Sequence, residues 1–82
     1  MKKYYVVYGS NAVMIANDYS RALYCRSSYF RPPHNIKKFY SLEDANEAAT
    51  DHLWDIAPLD RIIPDKLVIN RVYSIWKLPR NS

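Results

Sequence analysis

Glycine is nearly absent from this chain: Gly9 is the only one among 82 residues. A glycine-rich phosphate cradle is therefore excluded, and loops must be built from Pro, Asn, Asp and Ser. Cysteine is equally scarce. Cys25 alone forbids an internal disulfide and fits a reducing compartment. No apolar run approaches the roughly 20 residues a membrane-spanning helix needs, and no signal-peptide apolar segment opens the chain, so a soluble cytoplasmic protein is expected. His34 and His52 are separated by a strand and a helix, and neither stands at a metal-ligand spacing with Cys25. No Ser-His-Asp or Cys-His signature occurs. Glu43, Glu47 and Asp51 recur at i, i+4 and i+8, which reads as a solvated helix face, and His52 reads as a satisfied, partly buried histidine. These absences argue against an enzyme and imply no catalytic residue, metal or cofactor.

What is present is aromatic and basic. Eight Tyr, two Trp and two Phe are more than so small a core can hide, so some tyrosines must reach the surface. The net charge of +4 is the sum of segregated blocks. Residues 1–40 carry seven Lys or Arg against Asp18 alone. Residues 41–60 carry six carboxylates and no base, and residues 61–82 carry five bases against Asp65. Segregation of this kind speaks about partners rather than fold, unless folding mixes the blocks again.

The segment Ile36–Ala45 is the most informative. Ile36 to Tyr40 reads as a strand with adjacent lysines. Successive strand residues alternate faces, so Lys37 and Lys38 cannot both enter a core. Ser41 is placed as an N-cap, with Asp44 three residues on. The helix it opens spans about 42–56, with Leu42, Ala45, Ala49, Leu53 and Ile56 as its apolar stripe and carboxylates outside. Upstream, residues 3–8 and 12–16 form a hairpin through Gly9-Ser10-Asn11. Asn17 or Asp18 caps a helix over roughly 19–30 whose stripe is Tyr19, Ala22, Leu23, Arg26 and Phe30, and Pro32-Pro33 ends it. Residues 66–77 suit helix or strand. Their β-branched density favours strand. The expectation is one domain over residues 1–82, α+β in class, in which two helices pack on a small antiparallel sheet of three or four strands in the order β-β-α-β-α-β.

Tyr5, Tyr8, Tyr19, Tyr24, Tyr29 and Tyr40 interleave with the bases of the first half. Aromatic faces beside Lys and Arg build nucleic-acid grooves through stacking and phosphate contact. Protein interfaces enrich the same residues, and composition alone does not separate the two.

Several local motifs bear on the choice. Tyr4-Tyr5-Val6-Val7 leads into the hairpin, Ile36-Lys37-Lys38-Phe39 forms a strand, and Ser41-Leu42-Glu43-Asp44-Ala45 opens a helix. Phe30 to Pro32 forms a Phe-Pro-like turn. Over residues 3–50 the chain resembles the hybrid-binding domain found at the N-terminus of many ribonucleases H, also named after caulimovirus viroplasmin. The resemblance implies non-catalytic binding of an RNA/DNA hybrid or RNA duplex. Tyr5 and Tyr19 would pack on sugars, with Tyr19 standing where the family has Trp, while Arg21, Arg26, Lys37 and Lys38 would hold phosphates. In that family the hairpin loop is basic, carries a second glycine and reaches RNA 2′-hydroxyls through its backbone. Here it reads Gly9-Ser10-Asn11-Ala12-Val13. Residues 59–82 have no counterpart and are read as an added tail. The alternative is a small phage or mobile-element protein that binds and modulates a protein partner, with Trp76 as an anchor and the acidic helix as a nucleic-acid mimic. A homodimer through the last strand is a third use of the same surface.

Overall fold

The computed structural model describes residues 1–81. Strand β1 (Tyr4–Tyr8) and strand β2 (Ala12–Ala16) form the hairpin, followed by helix α1 (Tyr19–Tyr29), strand β3 (Asn35–Phe39), helix α2 (Leu42–Ile56) and the two-residue strand β4 (Tyr73–Ser74). A 3₁₀ turn, Ile75–Lys77, comes directly after β4. The sheet is antiparallel throughout, in the order β3-β1-β2-β4. The class and the element order are those the residue pattern predicts. No helix among the described residues is long and apolar enough to cross a membrane.

Both faces of the sheet are covered. Alternation along β1 and β2 sends Val6, Val13 and Ile15 to one side, where Ala45, Ala49 and Leu53 of α2 meet them, all fully buried. Val7, Met14 and Ala16 go to the other side, against Ala22 and Cys25 of α1. Both central strands are thus apolar on consecutive residues, as expected of strands buried on two faces. Burying each of the larger aliphatic side chains stabilises the fold by about 1.5–3 kcal/mol.

Ser41 caps α2 as its sequence position predicts: its Oγ accepts from the Asp44 N–H at 3.3 Å. The stripe of α2 is Ala45, Ala49 and Leu53, with Ile56 half-buried and Leu42 exposed at its mouth. Asp18 caps α1 by accepting from the Arg21 N–H. The face of α1 differs from the expected stripe. Ala22, Cys25 and the flanking Phe30 are buried, whereas Tyr19 and Leu23 are exposed. Small side chains at 22 and 25 let the helix lie close to Met14 and Ala16, and this turns the bulkier Leu23 outward.

The tail departs most from expectation. Only Tyr73 and Ser74 of the expected strand 66–77 pair with β2. Asn70 adopts φ 67° as the third residue of the turn closed by the Arg71 N–H to Val68 carbonyl bond, a position where Asn is tolerated. Extended structure cannot pass through it. Either side of this turn the tail is integral to the fold. Leu67, Ile75 and Leu78 are buried against the α2 side. Asn46 of α2 grips the Leu67 N–H and the Asp65 carbonyl. Arg61 is buried, and its Nη1 donates to the carbonyls of Trp76 and Leu78 at 3.1 and 3.0 Å. With two residues, β4 offers only a short edge to a second copy.

Candidate nucleic-acid interface

The register of β3 on β1 sorts the lysines. Directly opposed residues of an antiparallel pair share a face. Tyr5 opposes Lys38 and Val7 opposes Ile36, so Lys38 and Ile36 lie on the α1 side. Val6 opposes Lys37 and Tyr4 opposes Phe39, so Lys37 lies on the α2 side. There its Nζ sits 5.7 Å from the Phe39 ring centre, while Lys38 Nζ sits 5.5 Å from that of Tyr40. The two adjacent lysines therefore do not form one anion clamp.

On the α1 side, Tyr5, Tyr19, Ile36 and Lys38 line a shallow cleft of about 360 Å³ at the β3 edge. The Tyr5 and Tyr19 ring centres are 5.3 Å apart with planes inclined by 57°, within the range of favourable aromatic pairing. Tyr19 remains half-exposed at 51 %. Arg26 lies seven residues beyond Tyr19, about two helical turns, and so shares its flank of α1. Arg21 is five residues from Arg26, a rotation of about 140°. It lies on the opposite flank, beside Asn70, Ser74 and Lys77. Of the six residues singled out in the sequence, the structure brings together Tyr5, Tyr19 and Lys38, with Arg26 on their flank, and sets Lys37 and Arg21 elsewhere.

Folding keeps the two helices apart in charge, although Lys37 of the first block and Lys66 of the tail come to the α2 side, Lys66 beside Glu43. α1 carries Arg21 and Arg26 and no acid, whereas α2 carries Glu43, Asp44, Glu47, Asp51 and Asp55, all exposed, and no base. The two helices occupy opposite faces of the sheet. Among the described residues the only ion pair is Arg61 with Asp60, at 3.7 Å.

The hairpin loop is committed internally. Ser10 donates from its N–H and its Oγ to the Arg31 carbonyl. Asn11 accepts from the Arg31 N–H through Oδ1 and donates to the Tyr29 carbonyl through Nδ2. Polar groups that could face a ligand instead fasten the loop to the end of α1. His52 is similarly occupied: its Nε2 meets the Gly9 carbonyl at 2.7 Å. A carbonyl can only accept, so that nitrogen carries the proton. Its ring meets Tyr8 edge-on, and burial pushes the Tyr8 phenol above its ordinary value.

The structure adds two contributors to the α1 side, Tyr40 beside Lys38 and Lys77 beside Arg21. Tyr40 could have been placed there by the period-2 rule, being two residues from Lys38. Lys77 could not, because only the tertiary path of the tail brings it to α1. No protein-family model, curated protein or solved structure matches the chain.

Proposed function

We propose that this protein is a non-catalytic nucleic-acid-binding module that grips an RNA/DNA hybrid or RNA duplex through the α1 side of its sheet. The observation that carries this reading is the cleft of Tyr5, Tyr19 and Lys38, on the face opposite the carboxylates of α2. Aromatic rings pack on sugars or bases while the ammonium and guanidinium groups neutralise phosphate. The acidic face turns away from the ligand and orients the encounter, since like charge repels the backbone there. The resemblance over residues 3–50 supports the same ligand class. The lone Cys25, buried and free, accords with a cytoplasmic setting.

A second reading has its own observation. Trp54 is 67 % exposed on α2, and Trp is among the residue types most enriched as anchors for a protein partner. The two readings part on one comparison. Labelled hybrid and DNA duplex of one sequence are titrated by fluorescence polarisation at two salt concentrations. Nucleic-acid binding predicts preference for the hybrid, because the 2′-hydroxyls and groove shape differ, and affinity that falls steeply with salt. Tyr19→Phe should bind like the parent, whereas Tyr19→Ala should lose about 1–3 kcal/mol, with folding checked by thermal melting. Equal, weak binding to both duplexes, indifferent to Tyr19→Ala, would transfer the function to the Trp54 face.

A further inference from the structure

The β3 flank of α1 has a counterpart across the helix. Arg21, Tyr24 and Tyr29 of α1 and Ser74 and Lys77 of the tail line a groove of about 460 Å³ between α1 and the β4 edge. A second depression of about 520 Å³ shares Ser74 and Lys77 with it and adds Lys66 and Arg71. Among the described residues no carboxylate lines either one. Tyr24 and Tyr29 are 64 % and 55 % exposed, so their rings are available rather than buried in the wall.

Between the two flanks the crown of α1 is uncharged. Ser20, Leu23, Tyr24 and Ser27 are all exposed there and span about 100° of the helix surface. Cations flank this crown: Lys38 on the β3 side, with Arg26 there by its helical position, and Arg21 and Lys77 on the β4 side. A neutral, hydroxyl-bearing ridge between two basic rails is what a duplex meets when its two backbones straddle a helix.

We infer that the tail of this protein supplies a second phosphate rail, Arg21 with Lys77, which holds the backbone opposite the one held at Lys38, with α1 seated in the minor groove between them. This rests on the duplex-binding reading above and adds to it the strand that the tail contacts. A helix with its side chains is about 10–12 Å across. The B-form minor groove is about 6 Å wide and cannot take it, whereas the minor groove of an A-form duplex is wide and shallow and displays 2′-hydroxyls. The B-form major groove would admit a helix, but base reading there relies on Arg, Lys, Asn or Gln at the crown, and Ser20, Leu23, Tyr24 and Ser27 provide none.

The test is polarisation of a labelled RNA/DNA hybrid over a salt series, with the parent, Lys38→Ala, and the pair Arg21→Ala with Lys77→Ala. Two rails predict that the pair lowers the slope of log K against log salt by about two units and Lys38→Ala by about one. Amide resonances from Ser74 to Lys77 should also shift on hybrid addition. The resonance map still reports should the paired variant fold poorly. A parent-like slope and affinity in the pair, with still resonances at Ser74–Lys77 and a weakened Lys38→Ala, would overturn the second rail and leave the β3-flank reading standing. Parent binding to B-form DNA as tight as to the hybrid would overturn the seating of α1 in a minor groove. Absence of binding to either duplex would remove the parent reading and this inference together.

Discussion

Asn17 and Asn70 hold each other by two hydrogen bonds across 53 residues of chain: the Asn17 N–H donates to Asn70 Oδ1 at 3.2 Å, and Asn70 Nδ2 donates to Asn17 Oδ1 at 3.1 Å. The Asn70 N–H also reaches the Ile15 carbonyl at 2.7 Å. One side chain thereby ties the tail to the junction of β2 and α1, beside the groove that Arg21 and Asn70 share.

Asn70→Ala should destabilise the fold by about 2 kcal/mol. It removes two exposed hydrogen bonds, each of modest net worth, and places an ordinary side chain at φ 67°, which costs about 1–2 kcal/mol. Asn70→Gly loses the same bonds without the conformational cost and should be the more stable of the two. Urea unfolding of both variants checks this, and equal midpoints would mean that the left-handed turn carries no strain.

Gly9 is required by closeness rather than by its own dihedral. A β-carbon there would stand 2.7 Å from Phe30 Cδ2 and 3.2 Å from Phe30 Cβ. Gly9→Ala should cost about 1–3 kcal/mol through overpacking, and adding Phe30→Leu should recover part of it. A Gly9→Ala protein that melts with the parent would show that Phe30 can swing clear.

Legibility in the residue pattern tracks the range of the physics involved. β2 and α2 match their expected limits because an apolar run after a turn, a cap and a stripe are local signals read within one element. α1 has nearly the right ends but a different buried face. Which of Leu23 or Cys25 turns inward is decided by how closely Ala22 and Cys25 let the helix approach Met14 and Ala16 of the sheet, a tertiary contact that the helix pattern alone does not report. The tail departs from its expected strand for a related reason. Val68, Ile69, Val72 and Ile75 have strand-like side chains, yet Asn70 interrupts them with a turn, and the Arg61 clamp fixes the carbonyls of Trp76 and Leu78 from a distance in sequence. Tyr5 and Tyr19 could be named from the sequence. That Lys38 joins them and Lys37 does not depends on the register against Tyr5, which no adjacent residue reports.

Arg61 closes the tail by gripping two carbonyls, and its ring-side contact with Trp76 lies at 5.7 Å. Among the described residues its Nε has no hydrogen-bond partner, and Asp60 at 3.7 Å is too far to serve as one. The clamp, not the ion pair, should therefore stabilise this end. Arg61→Ala should cost about 2–4 kcal/mol, because each buried carbonyl left unpaired is worth about 1–3 kcal/mol. Asp60→Asn should stay within about 0.5 kcal/mol of the parent, its carboxylate being mostly exposed. If Asp60→Asn is as damaging as Arg61→Ala in thermal melts, the ordering of the two contributions is reversed.

The separation of Lys37 and Lys38 leads to the sharpest functional expectation. Composition treats them as equals, and the sheet does not. Lys38 shares its face with Tyr5, Tyr19 and Ile36, whereas Lys37 projects on the α2 side, near Phe39 and the acidic helix. Lys38→Ala should lower the slope of log K against log salt by about one unit on an RNA/DNA hybrid. Lys37→Ala should leave the slope within about half a unit of the parent, because a lysine on the far face forms no phosphate contact and acts only through the long-range field. Both side chains are exposed on an edge strand, so neither variant should lose more than about 0.5 kcal/mol of stability. Equal losses of slope in the two variants would mean that the ligand wraps the β3 edge and takes phosphates on both sides of the sheet.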